Sequence, residues 1–241
     1  MRYRRNTLMH RIRLTVFLLV LMLPLRGWSQ RPLLNMPDHD DKLYYFGITF
    51  GANYSVYKIN YTSSFAQKDT FKRIQPLWSP GFNLGLMGNL RLSRFVDFRF
   101  VPSLAFCEKR LNFQYGPPYD SVSERAIESI YMHLPFQLKF KSDRIKNFRF
   151  YALLGGKLDY DLAANSRSKR PNEFLKIAPV DYGLEFGVGF EFFNPNFIFS
   201  PEIKISQGLG NQLYRDPGLQ LTNAIDRLST RMIVISFHLE G

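Results

Sequence analysis

Residues 44–57 read YYFGITFGANYSVY, and nearly every second residue is apolar or aromatic. Phe46, Ile48, Phe50, Ala52, Tyr54 and Val56 alternate with Gly47, Thr49, Gly51, Asn53 and Ser55. A period of two describes a β-strand with two unlike faces. An ordinary strand runs about five or six residues, and this one runs about twice that. The chain therefore needs surroundings that accept one apolar face over an unusual length.

The pattern recurs. In 81–92, Phe82, Leu84, Leu86, Leu90 and Leu92 share a face. In 96–106, Val96, Phe98, Phe100, Leu104 and Phe106 oppose Asp97 and Arg99. In 130–140, Ile130, Met132, Leu134, Phe136, Leu138 and Phe140 oppose His133, Gln137 and Lys139. In 148–162, Phe148, Phe150, Leu154, Leu158 and Tyr160 oppose Arg149, Lys157, Asp159 and Asp161. In 180–193, Val180, Tyr182, Leu184, Phe186, Val188 and Phe190 oppose Glu185 and Glu191. In 197–205, Phe197, Phe199, Ile203 and Ile205 oppose Glu202 and Lys204; in 230–239, Ile233, Ile235, Phe237 and Leu239 oppose Ser236 and His238. Eight strands are thus predicted, and no apolar face carries a charge. The 23 Phe and 13 Tyr suit strands.

The connections alternate. Short polar turns at 93–95, 142–147 and 193–196 separate longer segments at 58–80, 111–129, 163–179 and 207–229. An even strand count, apolar-out alternation and alternating loop lengths describe an all-β, eight-stranded antiparallel transmembrane β-barrel of the outer-membrane type. A tilted strand crosses the hydrocarbon in about 9–11 residues. With no water there, every backbone N–H and C=O must pair within the sheet, which must close. A soluble lipocalin-like barrel would instead be apolar inside and polar outside. Tyr44, Tyr45 and Tyr57 flank the first span, where an aromatic girdle is expected. Pro102, Pro135 and Pro201 fall inside strands and remove ladder donors, so bulges or rim positions are expected for them. On the lipid face Phe186→Arg is expected to be costly, and on the opposite face Glu185→Gln less so.

The first residues have a different character. MRYRRNTLMHRIR is basic, LTVFLLVLMLPL is an apolar run of about a dozen residues, too short for a helical span, and RGWSQ carries small residues. This is the pattern of a cleaved signal peptide, expected over 1–29, with a periplasmic N-terminal segment at 30–43 and the barrel at 44–241; a retained membrane anchor is the alternative. Residues 1–29 hold six arginines and no acid, half of the formal net charge of +12. That excess is a targeting feature and implies no nucleic-acid partner. The single Cys107 cannot form an internal disulfide.

The expected barrel interior holds Asp97, Arg99, Lys139, Arg149, Lys157, Asp159, Glu185, Glu191, Glu202 and Lys204. The signs nearly balance, so a packed ion-pair network is expected to fill the lumen; a narrow polar conduit is the alternative. Ser236 and His238 share a strand face and could begin an acyl-transfer site, but no third group is evident, so no catalytic residue is assigned. His39 and His133 have no nearby metal-ligand partner in sequence, and GLGN at 208–211 lacks the third glycine and the strand–helix setting of a dinucleotide loop. No metal, cofactor or small-molecule substrate is expected. The basic stretch at 165–176 reads as a solvated loop, or as a contact for lipid phosphates or an acidic partner.

Particular stretches resemble the PorT family. These are NMPDHDDKLYYFGITFG, PGFNLGLMGNLRL, DFRFVPSLAF, SIYMHLPFQLKFKSDRIKNFRFY, DYGLEFGVGFEFF, FSPEIKIS and SFHLE. A proline midway along the fourth strand and a glycine-rich fifth strand are common to outer-membrane barrels. LKFKSDRI, FSPEIK and TNAIDRL are more specific to PorT. The resemblance spans the chain from about Leu34 onward and implies a component of the type IX (Por) secretion system, which exports proteases and adhesins across the outer membrane. It implies a part needed for secretion rather than the channel, with lipid and other secretion components as partners. No catalytic motif comes with it. A small passive pore or solute-binding barrel is the alternative reading.

Overall fold

The alternating segments form one closed sheet. The computed structural model describes residues 34–63, 65, 71–116, 121–164, 175–215, 219 and 224–241. The chain divides into Met1–Leu33 and Leu34–Gly241. The first unit, with the expected signal peptide, lies outside the described residues, as do 165–174 of the basic stretch.

The strand segments are β1 (Tyr44–Tyr61), β2 (Phe71–Leu77), β3 (Ser79–Arg91), β4 (Val96–Phe100), β5 (Ser103–Tyr115), β6 (Val122–Lys141), β7 (Phe148–Asp161), β8 (Val180–Phe193), β9 (Ile198–Gly208) and β10 (Ile225–Glu240). All pair antiparallel. These ten segments make eight barrel strands, because β2 runs on into β3 and β4 into β5. β1 closes the ring, pairing with β3 from Tyr44↔Leu90 to Ser55↔Ser79 and with β10 from Gly47↔Glu240 to Tyr61↔Ile225.

The prolines do not sit at bulges or rims. Among the described residues, register shifts are confined to Asn60/Tyr61 and Phe71/Arg73. Pro102 separates β4 from β5, yet Phe100↔Phe136 and Ser103↔His133 keep one register across the gap. Pro102 still accepts a bond from Leu86 N–H at 3.0 Å. Pro135 stays in the ladder opposite Lys157. Beside Pro201, the β8–β9 ladder breaks after Gly189↔Glu202 and resumes at Phe192↔Phe199 without slipping. Pro102 and Pro201 therefore interrupt a ladder locally, Pro135 does not, and in each case neighbouring pairs hold the register.

The outward face is apolar where lipid is expected, with Phe46, Leu84, Leu154, Phe186 and Ile205 all exposed. Trp78 and Tyr54 stack there at 5.9 Å. Tyr44 is exposed, as a girdle residue must be, but Tyr45 and Tyr57 are not, pointing inward at 2% and 1% exposure. Their parity along β1 is that of Gly47 and Asn53, so the sheet geometry turns them into the lumen.

The segments read as long loops also contain strand. β2, the far half of β5, the near half of β6 and the start of β10 extend the sheet at the long-loop end. There the polarity inverts. On β5, Leu104 faces outward at 42% exposure, whereas Leu111 and Phe113 face inward at 0% and 2%. Outward positions in that region are mostly polar, among them Glu108, Arg110, Glu124 and Glu128, with Val122 an exposed apolar exception. Inside, Tyr57, Ile74, Leu111, Phe113, Ile225 and Leu228 pack with Leu175, Ile177 and Leu213 from the connecting segments. Where the outer solvent is water, the apolar face belongs inside, as in any soluble sheet.

The inversion predicts opposite tolerance at two outward positions. Phe186→Arg should destabilise the refolded protein by about 2–4 kcal/mol. Glu128→Arg, which also removes the like-charge pair Glu108↔Glu128, should stay within about 0.5 kcal/mol of the parent. Urea unfolding in lipid vesicles measures both.

Candidate functional site

All ten charged residues expected inside lie in the lumen, none more than 6% exposed. They do so because each strand's inward positions share one parity, and antiparallel register sets those positions side by side. Asp97 lies opposite Lys139, and Arg149 opposite Glu191.

Near the short-turn end, Arg99 reaches Glu202 at 2.6 Å and Glu240 at 3.7 Å. Lys139 pairs with Glu191 and approaches Glu240 at 3.6 Å. Lys141 pairs with Asp97 at 2.7 Å, and Tyr45 Oη donates to the same carboxylate at 2.9 Å. Tyr151 donates to Glu202 at 2.8 Å, and the Lys139 ammonium and Arg99 guanidinium lie 4.3 and 5.0 Å from its ring centroid. Tyr151 fits because its neighbour is Gly189, where a Cβ would run into the phenol and come within 2.9 Å of Pro201 O.

At mid-barrel, Glu185 accepts from Gln137 at 2.6 Å and lies 3.1 Å from Lys204 and 3.2 Å from His133 Nε2. His133 Nδ1 meets Asp159, which also pairs with Lys157 at 2.6 Å. Above this layer, Lys109 donates to Tyr131 Oη at 2.8 Å and lies 5.0 Å from the Tyr57 centroid. Asp181 accepts from Thr230 Oγ1 at 2.6 Å and from Gly210 N–H at 3.1 Å. The glycines of GLGN thus serve close packing on Asp181: a Cβ at Gly210 would fall 2.6 Å from its carboxylate.

The short-turn mouth is occupied by the segment before β1. Pro37–Asp41 forms one short 3₁₀ turn entered through Met36 in the left-handed region, φ 50°. His39 is buried, its ring 4.6 Å from that of Tyr45 and 5.9 Å from that of Phe193. Burial pushes its pKa down to about 4, so near neutral pH it packs as an uncharged ring. Asn35 donates through its side chain to Phe193 O at 2.9 Å, and Arg144 donates to Met36 O at 3.2 Å. Asp40 reaches Arg149 at 2.7 Å. Sequence periodicity could not expose this docking, because the segment has no period and most of its partners, Arg144, Asn147, Arg149 and Phe193, lie more than a hundred residues away. Lys109, Lys141, Asp181 and Glu240 were also missing from the expected set. For Lys141 and Glu240, extending the strand parity by one step would have found them.

Ser236 and His238 are 6% and 2% exposed and face inward. Neither nitrogen of His238 makes a hydrogen bond, and Nε2 lies 3.5 Å from Glu202. The base is therefore not engaged with the hydroxyl, and the pair does not form an acyl-transfer site in this arrangement. Among the described residues, no group of three His, Cys, Asp or Glu could hold a metal ion.

A family model described as an outer membrane protein beta-barrel domain matches residues 29–214. No curated protein sequence matches the chain. Solved structures similar to it include Neisserial surface protein A (9% identity, TM-score 0.42, 80% of this chain and 95% of that one). OprG from Pseudomonas aeruginosa is 11% identical with a TM-score of 0.44, covering 81% of this chain and 95% of its own. The outer membrane protease OmpT from Escherichia coli is 10% identical with a TM-score of 0.36, covering 82% and 95% respectively.

The geometry revises the expectation for Glu185. Glu185→Gln leaves Lys204 and His133 facing a neutral amide inside the lumen, and Glu202→Gln does the same to Arg99. Both should cost about 3–5 kcal/mol, the penalty for breaking a buried pair, as much as a charge on the lipid face. Equilibrium unfolding of the two variants against the parent measures this; a loss below about 1 kcal/mol would show that the network behaves like surface ion pairs.

Proposed function

The chain belongs to the outer membrane protein beta-barrel domain family, and from that premise we propose that it is a PorT-like, non-enzymatic structural component of a type IX secretion machine. Membership in this family implies the outer membrane of a Gram-negative bacterium. The observation that carries the reading is the filled lumen. Ion pairs occupy the barrel, an apolar cluster packs inside the long-loop end, and the segment at 35–41 occupies the short-turn end. An eight-stranded barrel is just wide enough for its own side chains and cannot pass a folded cargo protein. Such a barrel contributes surfaces to an assembly, which agrees with the PorT resemblance in LKFKSDRI, FSPEIK and TNAIDRL. A passive pore or solute-binding barrel is the second reading, favoured by the polar interior alone; it requires steady conductance from purified protein in planar bilayers.

The secretion role predicts that a clean deletion leaves cargo proteins trapped in the cell envelope, detected by immunoblotting of culture fluid and envelope fractions. Undiminished secretion in the deletion strain overturns it.

We further propose that the short turns and both termini face the periplasm and the long connections face the exterior, as is usual for barrels of this type. In a Cys107→Ala background, a membrane-impermeant thiol reagent on intact cells should label a cysteine at Glu124 and spare one at Asn194. The reverse pattern overturns this orientation.

A further inference from the structure

The mouth at the short-turn end holds more positive charge than the fold neutralises. A cavity of about 420 Å³ is lined there by Arg91, Arg94, Arg144 and Arg149 against two acids, Asp40 and Asp143. The acids are shared out. Asp143 pairs with the exposed Arg94 at 2.6 Å. Asp40 reaches Arg149 at 2.7 Å and lies 3.8 Å from Arg91 and 3.9 Å from Arg144; Arg91 also donates to His39 O at 3.2 Å and Arg144 to Lys146 O at 2.7 Å, which satisfies donors without neutralising charge. Arg149 has a second acid, Glu191, at 3.4 Å. Arg91 Nε and Nη1 and Arg149 Nε have no hydrogen-bond partner. Those atoms are buried and contribute positive field rather than contacts, whereas the exposed Arg94 guanidinium can bind a carboxylate through paired, directional hydrogen bonds.

We propose that this mouth is a carboxylate-receiving site for an acidic segment of a protein partner. Asp40 supplies the precedent: a carboxylate on a short segment of this chain already enters the arginine cluster from the open end. The site is built from the inner wall. Arg91 and Arg149 share the inward parity of Asn89 and Tyr151 and so face the lumen mouth, while Arg94 and Arg144 reach the cavity from the short turns. A phospholipid headgroup would have to leave the bilayer and turn over the rim to reach it. The volume suits several side chains rather than a lone small anion. The orientation proposed above would put the partner in the periplasm. The inference itself rests on the chemistry of the mouth and not on the secretion role, which is read separately in cells.

The test uses the purified chain in zwitterionic micelles and a fluorescein-labelled oligoglutamate peptide, with binding followed by anisotropy at low salt. Saturable binding is expected, with none to oligolysine. Arg94 and Asp143 are 76% and 64% exposed, so substitutions there should leave the fold intact. Arg94→Glu should weaken binding by about tenfold or more, while Asp143→Asn, which releases Arg94, should tighten it. Absence of saturable binding, or indifference to both substitutions, overturns the proposal. Displacement by inorganic phosphate as effectively as by unlabelled oligoglutamate overturns it in favour of a small-anion site. Binding that survives in phosphatidylcholine nanodiscs but is lost when phosphatidylglycerol is added overturns it in favour of a lipid headgroup.

Discussion

Charge in a lumen too narrow for bulk water must find opposite charge, and that requirement organises this barrel. Lipid outside forces the sheet to close, because no backbone group in hydrocarbon can go unpaired. Closure with eight strands leaves a core that side chains fill. The apolar residues are committed to the lipid face, so the polar ones must fill it. Glu202 between Arg99, Tyr151 and His238, and Glu185 between Lys204, His133 and Gln137, are the resulting hubs. Glu240 differs: it lies 3.6–3.7 Å from Lys139 and Arg99 but accepts no hydrogen bond, so its attachment is coulombic.

The two ends of the lumen are finished by different physics. Above the lipid the outer face of the sheet meets water, the polarity of the strands inverts, and Leu111, Phe113, Ile225 and Leu228 form an ordinary apolar core. At the other end the described residues include no strand extension. There the 3₁₀ turn at Pro37–Asp41 supplies an uncharged His39 for packing and Asp40 for the arginines. The long-loop end is therefore held by packing, and the short-turn end by a docked segment and unevenly balanced charge. The uneven balance makes the second end the chemically distinctive surface of the molecule.

A barrel filled in this way leaves little of its interior free. The interior groups that could do chemistry are committed to one another: His133 to Asp159 and Glu185, Lys157 to Asp159, Lys204 to Glu185. What remains available to other molecules is the rim, the turns and the long connections. Under the proposed secretion role, those are the surfaces on which assembly would depend.

The lipid-spanning part of the fold was legible in the sequence because lipid imposes one rule on every strand. Apolar residues must alternate outward, so a period of two, with Phe186 out and Glu185 in, marked each span and assigned the ten lumen charges. The same reliance explains what was missed. Beyond the lipid the rule reverses, so the change of parity between Phe106 and Leu111 looked like the end of a strand when it was a change of solvent. Tyr45 and Tyr57 looked like girdle residues because tyrosine suits either setting, and only their parity in the closed sheet sends them inward. The prolines hold register through their neighbours, which a single strand cannot reveal. Which charge meets which, and where Asp40 docks, depended on the tertiary structure, because a coulombic contact requires two side chains brought within a few ångströms across strands far apart in the chain. Within the lipid span the sequence by itself determined which apolar residues face lipid and which charges face the lumen; ring closure decided the charges' partners and turned Tyr45 and Tyr57 inward.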